Sequence, residues 1–371
     1  MGAIAGLLNK GLLNRAVVAA SSIFAALLLA ACGGAGDEQA ASQGATASPG
    51  ADENAGVVNV YSGRHYDSDI AIFDAFTAET GIEVNVIEAG GDALIERIAQ
   101  EGEASPADLF ITADAGMLWR ADQRGLFRAT DDAALAARVP DKFRHPEGKW
   151  FGLAKRARVI VYNREAGLPA GLERYADLAD PAYDDMICVR SSSNIYNQSL
   201  LASIIAHRGE EAAEAWARGV VENFARRPQG NDTAQIEAVA AGLCRLAIVN
   251  SYYVARFVDT DDADKAAIGE AVGVLYPNQN GVGTHVNISG AGVMAHAPNP
   301  DNAERLLAFL LRDDTQGAFA LGNNEYPIVP GVAAQGPIAA LGAFREDDLA
   351  VTALGENQPA AVRVFDRAGW P

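Results

Sequence analysis

Two adjacent tyrosines in Ser251-Tyr252-Tyr253 directly follow the apolar run Leu246-Ala247-Ile248-Val249. Two further segments share that form. Val57-Val58-Asn59-Val60-Tyr61 runs into Gly63-Arg64-His65-Tyr66, and Met186-Ile187-Cys188-Val189 runs into Ser191-Ser192-Ser193-Asn194-Ile195-Tyr196. Each reads as a strand whose end presents polar and aromatic side chains. Open parallel sheets bind ligands outside the carboxyl ends of their strands, so His65, Tyr66, Tyr196, Tyr252 and Tyr253 are candidates for one crevice and for a metal site. A phenol has a reference pKa of about 10 and is neutral under physiological conditions, so only a strongly polarising cation strips its proton. Several phenolates with one imidazole suit Fe3+ better than Zn2+, which takes cysteine, histidine and carboxylate ligands.

Taken singly, each tyrosine is as readily a packing residue. Tyr61, Tyr162, Tyr175, Tyr183, Tyr276 and Tyr326 are expected to be buried aromatics of that kind. Neighbours on a regular strand point to opposite faces, so joint use of Tyr252 and Tyr253 demands a turn or a helix start right after the strand. Other motifs carry less. Gly281-Val282-Gly283 and Gly290-Ala291-Gly292 lack the strand-to-helix context of a dinucleotide fingerprint and read as turns. Ser191-Ser192-Ser193 has no GxSxG elbow, and His207, His285 and His296 have no partner motif for nucleophilic catalysis. His145 and His207 are expected to be solvated, since isolated histidines without a spacing partner are seldom ligands.

The elements that would position the five residues alternate. Strands at 57–61, 83–88 and 108–112 are followed by helices at 69–80, 93–101 and 115–124, with glycines 81 and 125 as stops. This rhythm predicts a parallel sheet covered on both faces, with right-handed crossovers. A second α/β unit follows, with strands at 159–162, 186–189 and 245–250, helix signals around 169–178, and helices after Asn197, at 212–221 and at 232–241. A strand at 288–294 and a helix at 302–311 suggest a late return to the first unit, and the Ala-rich tail beyond Pro330 reads as helical and without chemistry of its own.

The chain ends and its charge set the compartment. Lys10 and Arg15 precede an apolar stretch from Val17 to Ala31, as in an export signal, and that stretch is shorter than the roughly 20 residues a membrane-spanning helix needs. Leu29-Ala30-Ala31-Cys32 resembles a bacterial lipobox, which implies residues 1–31 as a lipoprotein signal peptide and a lipid anchor on Cys32. Residues 32–56 are rich in Gly, Ala, Ser, Asp and Glu and read as a flexible tether. The formal charge of −19 argues against a nucleic-acid partner and keeps an exported protein soluble. With Cys32 lipidated, Cys188 and Cys244 remain. In an oxidising compartment they are either a disulfide, which is the expectation, or two buried thiols.

Residues 57–66, 90–114, 190–198 and 248–256 resemble the ferric-iron-binding periplasmic proteins of ABC-type iron uptake. The likeness extends over most of 57–371, and its most specific parts are Gly63-Arg64-His65-Tyr66, Ser193-Asn194-Ile195-Tyr196-Asn197 and Asn250-Ser251-Tyr252-Tyr253. The resemblance implies an α/β, two-lobed, class II periplasmic-binding-protein fold, each lobe a mainly parallel sheet flanked by helices, with the ligand in the cleft between lobes. The N-terminal lobe would comprise 57–154 and 279–329, and the C-terminal lobe 155–278 and 330–371. It also implies Fe3+ as the transported ligand on His65, Tyr66, Tyr196, Tyr252 and Tyr253, in the manner of the tyrosine-rich subgroup, with carbonate or a similar synergistic anion as an optional further ligand. Arg156 and Arg256 would offset phenolate charge from behind the ligands. The implied setting is a monomeric lipoprotein, periplasmic or on the cell surface, that is not an enzyme and serves a permease in the inner membrane. The alternatives are a same-fold protein for an oxyanion, a polyamine or an organophosphonate, or a secreted metal-dependent hydrolase.

Overall fold

The computed structural model describes residues 56–371; the signal segment 1–31, Cys32 and all of the tether but Gly56 lie outside the described residues. Strands β1 (Val57–Ser62), β2 (Glu83–Glu88) and β3 (Leu109–Thr112) alternate with helices α1 (Asp67–Thr80), α2 (Gly91–Glu101) and α3 (Ala115–Gln123), and a short α4 (Ala133–Arg138) follows. The expected stop of α1 at Gly81 is a left-handed cap, φ 71°, a conformation glycine adopts without strain. β1 pairs in parallel with both β2 and β3.

The central strand is β4 (Phe151–Asn163), far longer than the apolar stretch 159–162 that marks it in the sequence. Lys155, Arg156 and Arg158 break the apolar pattern, yet Arg156 and Arg158 are buried. Buried charges of this kind persist only when paired, and both have carboxylate partners. β4 serves two sets of neighbours. Its first part, up to Ala157, lies antiparallel to β8 (Val286–Val293) and β9 (Tyr326–Pro327). From Arg158 onward it lies antiparallel to β6 (Leu246–Asn250) and, from Ile160, to β7 (Val272–Leu275). β5 (Ile187–Cys188) adds in parallel to β6. The resulting order is β2-β1-β3-β8-β4-β6-β5, with β7 and β9 also on β4. The sheet is therefore more mixed than the strand–helix rhythm predicts, because β8 and β9 return late in the chain and β4 runs against its neighbours. Gly290 and Gly292 lie inside β8 and not in a turn. A Cβ at Gly290 would come within 2.8 Å of the Phe151 carbonyl, and one at Gly292 within 2.6 Å of that of Lys149.

The remaining helices cover the sheet: α5 (Ile195–Arg208), α6 (Glu210–Glu222), α7 (Asp232–Ala240), α8 (Ser251–Ala255), α9 (Ala263–Ala271), α10 (Pro300–Leu310), α11 (Asp313–Gly322), α12 (Gly336–Ala340) and α13 (Thr352–Ala368). The helix signals around 169–178 yield a single 3-10 turn, Tyr175–Ala179. One core joins β1, β3 and β8 to α1, α2 and α10, while a second gathers Leu178, Leu201, Trp216 and Ile248 with Phe365 and Trp370 of the tail. The described residues belong to one compact unit. Among them no helix is long and apolar enough to cross a membrane.

Candidate metal centre

The turn that Tyr252 and Tyr253 require is present: β6 ends at Asn250 and α8 starts at Ser251 without a linker. Residues on a helix are set about 100° apart, not on opposite faces, and the two rings lie with centroids 4.3 Å apart at 31°. The hydroxyl of Ser251 accepts a hydrogen bond from the Ala157 amide, 3.2 Å, and so ties the helix start to β4.

Tyr196 reaches the same place from α5. Asn194 caps that helix by accepting from the Tyr196 amide, and Asn197 braces the preceding loop by donating to the carbonyls of Arg190 and Ser191. The tail braces the same loop. Trp370 donates to the Arg190 carbonyl and the Ser192 amide to that of Pro371, at 3.1 and 2.7 Å. The Tyr252 hydroxyl donates to that of Tyr196 at 3.2 Å. Beneath them Arg158 donates to Asp232, Asn250 and Asn197, which binds the end of β6 to the first turn of α5.

Tyr66 comes from the opposite side, at the N-cap of α1. Neighbouring Arg64 is buried and donates to Asp69 and, through Nη1, to Glu325 at 2.8 Å and Ser289 at 2.6 Å; its guanidinium carbon sits 4.8 Å from the Tyr66 ring centre. Ser289 in turn accepts from Arg156 at 3.1 Å, and Arg156 lies 3.5 Å from Glu325. Arg156 thus stands behind the tyrosines, 6.0 Å from the Tyr196 ring centre, with its Nε and Nη2 buried and unpartnered among the described residues. Arg256 is exposed, donates to Asn323 at 3.0 Å, and lies 5.3 and 4.8 Å from the ring centres of Tyr252 and Tyr253.

The electrostatics couple four phenols. Burial pushes Tyr196 up to about 12, with Tyr253 and Tyr66 adding to the rise and Arg156 opposing it. Burial, then Tyr196, Tyr253 and Tyr66, hold Tyr252 well above the ordinary phenol value. Burial and Glu325 raise Tyr66, against the pull of Arg64 and Arg156. Burial alone would raise Glu325 too, but Arg64 and Arg156 hold its carboxyl below the usual range. The four hydroxyls therefore repel one another as anions, and a cation among them relieves that repulsion. Among the described residues no group of three or more His, Cys, Asp or Glu side chains is placed to hold a metal.

His65 stands apart from the four phenols. It is exposed, with Nδ1 3.4 Å from Glu88, and with Tyr66, Arg256 and Asn323 it lines a cavity of about 330 Å³. One other histidine departs from the solvated state expected of it: His145 lies against Asp122 and the Trp150 ring, whereas His207 is exposed as expected and pairs with Asp347 at 2.7 Å. Cys188 and Cys244 are joined, with Cα atoms 5.8 Å apart, beside β5 and β6. Glu325 and Ser289 escaped the sequence reading because they lie far along the chain, next to no motif. Arg64 stood inside a motif with nothing to show that it would be buried.

Comparison with known proteins shows the family to which the chain belongs. Residues 104–340 match the family described as bacterial extracellular solute-binding protein. "Iron uptake protein A1" of Synechocystis sp. is 47% identical over 313 residues, covering 84% of this chain and 87% of its own length. "Iron uptake protein A2" of the same organism is 50% identical over 316 residues, covering 84% and 90%. A Trichodesmium protein solved in complex with iron and citrate ligands superposes with a TM-score of 0.82 at 48% identity, covering 85% of this chain and all of that one. The chain belongs to the bacterial extracellular solute-binding proteins, and its fold is that of the ferric-binding members.

Proposed function

We propose that the protein captures Fe3+ outside the cytoplasm and hands it to an ABC-type permease. The observation that carries this reading is the convergence of Tyr66, Tyr196, Tyr252 and Tyr253 from three separate chain segments, with the hydroxyls of Tyr252 and Tyr196 3.2 Å apart. Four coupled phenols are poor company for one another and a fitting cage for a small trivalent cation. Similarity to iron-uptake proteins supports the same cargo.

In this reading residues 57–154 and 279–329 form one lobe and 155–278 and 330–371 the other, with β4 crossing between them. Tyr196, Tyr252 and Tyr253 receive the ion on the second lobe; Tyr66, followed by His65, swings in from the first. Closure is driven by the extra ligands won in the closed state. The free Nε and Nη2 donors of Arg156 suit a small oxyanion beside the iron, with Arg256 countering phenolate charge from the rim. The segment ending at Cys32 supports export and lipid anchoring, with the protein working as a monomer.

Ferric iron added to the purified protein gives an orange-red phenolate-to-iron absorption band. Tyr252→Phe with Tyr253→Phe bleaches it and weakens binding by more than the roughly 10–100-fold typical of losing a residue that merely supports a ligand. A colourless protein that binds no ferric iron would sink the reading.

A further inference from the structure

A second cavity, about 510 Å³, opens between the 3-10 turn at Tyr175–Ala179, helices α5 and α6, and the loop that leads into β8. It contains none of the five candidate iron ligands. Its volume falls within the ~300–1,000 Å³ of small-molecule pockets, and its surface is mainly apolar. Trp216 and Ile204 form part of the wall, and Val282, one of the few large apolar side chains left exposed among the described residues, sits beside them.

The polar groups of the wall divide sharply. The Trp216 indole donates to the Tyr175 carbonyl, Ser203 donates to the Leu200 carbonyl, and His207 pairs with Asp347. His285 is different. It is 4% exposed and lines the cavity, yet among the described residues nothing hydrogen-bonds its ring. Burial, with Arg158 and Arg156 next, pushes its pKa down to about 3, so the ring is neutral and offers one donor and one acceptor. Its ring nitrogens are not sealed from solvent, so a ligand's polar group would exchange for water at that point of the wall. Arg208 also lines the cavity, is exposed, and has no ion-pair partner among the described residues. An apolar wall, one unmatched neutral hydrogen-bonding ring and one unmatched cation specify a ligand chemistry.

We propose that this cavity binds a small apolar carboxylic acid, its body against Trp216 and Val282, its carboxylate drawn to Arg208, and a polar substituent matched to His285. The inference stands apart from iron capture, because it shares no residue with the phenol cluster. Its place in the fold gives it reach, since the His285 carbonyl accepts from the Arg158 amide, where β4 passes from β8 to β6.

Isothermal titration of the iron-free protein with 4-hydroxyphenylacetate, phenylacetate and 2-phenylethanol tests it. The expected order of affinity is 4-hydroxyphenylacetate, then phenylacetate, then the uncharged alcohol. His285→Phe cancels the preference for the hydroxylated acid, about tenfold for one hydrogen bond, and Arg208→Glu on the surface weakens both acids while sparing the alcohol. Tyr252→Phe leaves all three unchanged. No saturable heat up to ~10 mM, where binding is negligible, overturns the proposal. So does equal affinity for acid and alcohol, insensitivity to both cavity variants, or loss of binding in Tyr252→Phe, which would place the acid at the phenol cluster.

Discussion

At the scale of single residues, Tyr66, Tyr196 and Tyr252 are kept protonated by what surrounds them. Tyr196 is pushed up to about 12 by burial, with Tyr253 and Tyr66 adding to it, and Tyr252 is held well above the ordinary phenol value by burial and by Tyr196, Tyr253 and Tyr66. An iron-free protein near neutrality therefore holds neutral hydroxyls, and loading must release their protons. Affinity for Fe3+ consequently rises with pH, since a metal that displaces protons binds tighter when protons are scarce. We predict about four protons released per iron, one from each tyrosine, measured by pH-stat titration in weak buffer. Release of one proton or fewer would place the iron on other groups. Glu325 gives a second prediction. It lies buried between Arg64 and Arg156, so Glu325→Gln leaves buried Arg156 without its carboxylate and Arg64 with Asp69 alone, and costs about 3–5 kcal/mol in urea unfolding. A loss of under ~1 kcal/mol would mean that solvent screens the network.

At the scale of elements, the site depends on where strands stop. β6 hands over to α8 with no intervening loop, and β5 leads through the Arg190–Asn194 loop into α5. The Cys188–Cys244 bond ties the two strands just upstream of those helix starts, across a separation of 56 residues. In the loop-closure account a cross-link of that span stabilises by about 4 kcal/mol. Cys188→Ala with Cys244→Ala should lower the urea midpoint accordingly and weaken iron binding, because Tyr196 and Tyr252 lose their common brace. Denatured, unreduced protein should show no labelled thiol at either position. A reactive thiol there would refute the pairing.

At the scale of the whole molecule, Tyr66 belongs to the β1–α1 side and the other three phenols to the β5–β6 side. A cation held by both sides must draw them together, so loaded protein should be more compact than iron-free protein in small-angle scattering. Tyr66→Phe should retain iron on the remaining phenols at lower affinity while losing most of the compaction. If the variant compacts as fully as the parent, closure does not depend on that ligand. β4 is the structural reason to expect such motion, since one strand serves both sets of neighbours and changes partners between Ala157 and Arg158.

Much of this protein is written locally. Strand–helix alternation through residues 57–128, the stop at Gly81 and the strand-end placement of Tyr66, Tyr196, Tyr252 and Tyr253 follow from apolar periodicity and turn chemistry, which act over a few residues. Tertiary structure decided what depends on partners distant in the chain. The full length of β4 was hidden because its buried arginines look like surface residues until Glu325 and Asp232 are brought to them. The late strands β8 and β9 set the antiparallel pairing, which no local pattern encodes. His285 and Arg208 became neighbours of one cavity only when α5 packed near the entry to β8. Side-chain identity named the chemistry the chain could perform; long-range burial and charge pairing determined which of those groups meet.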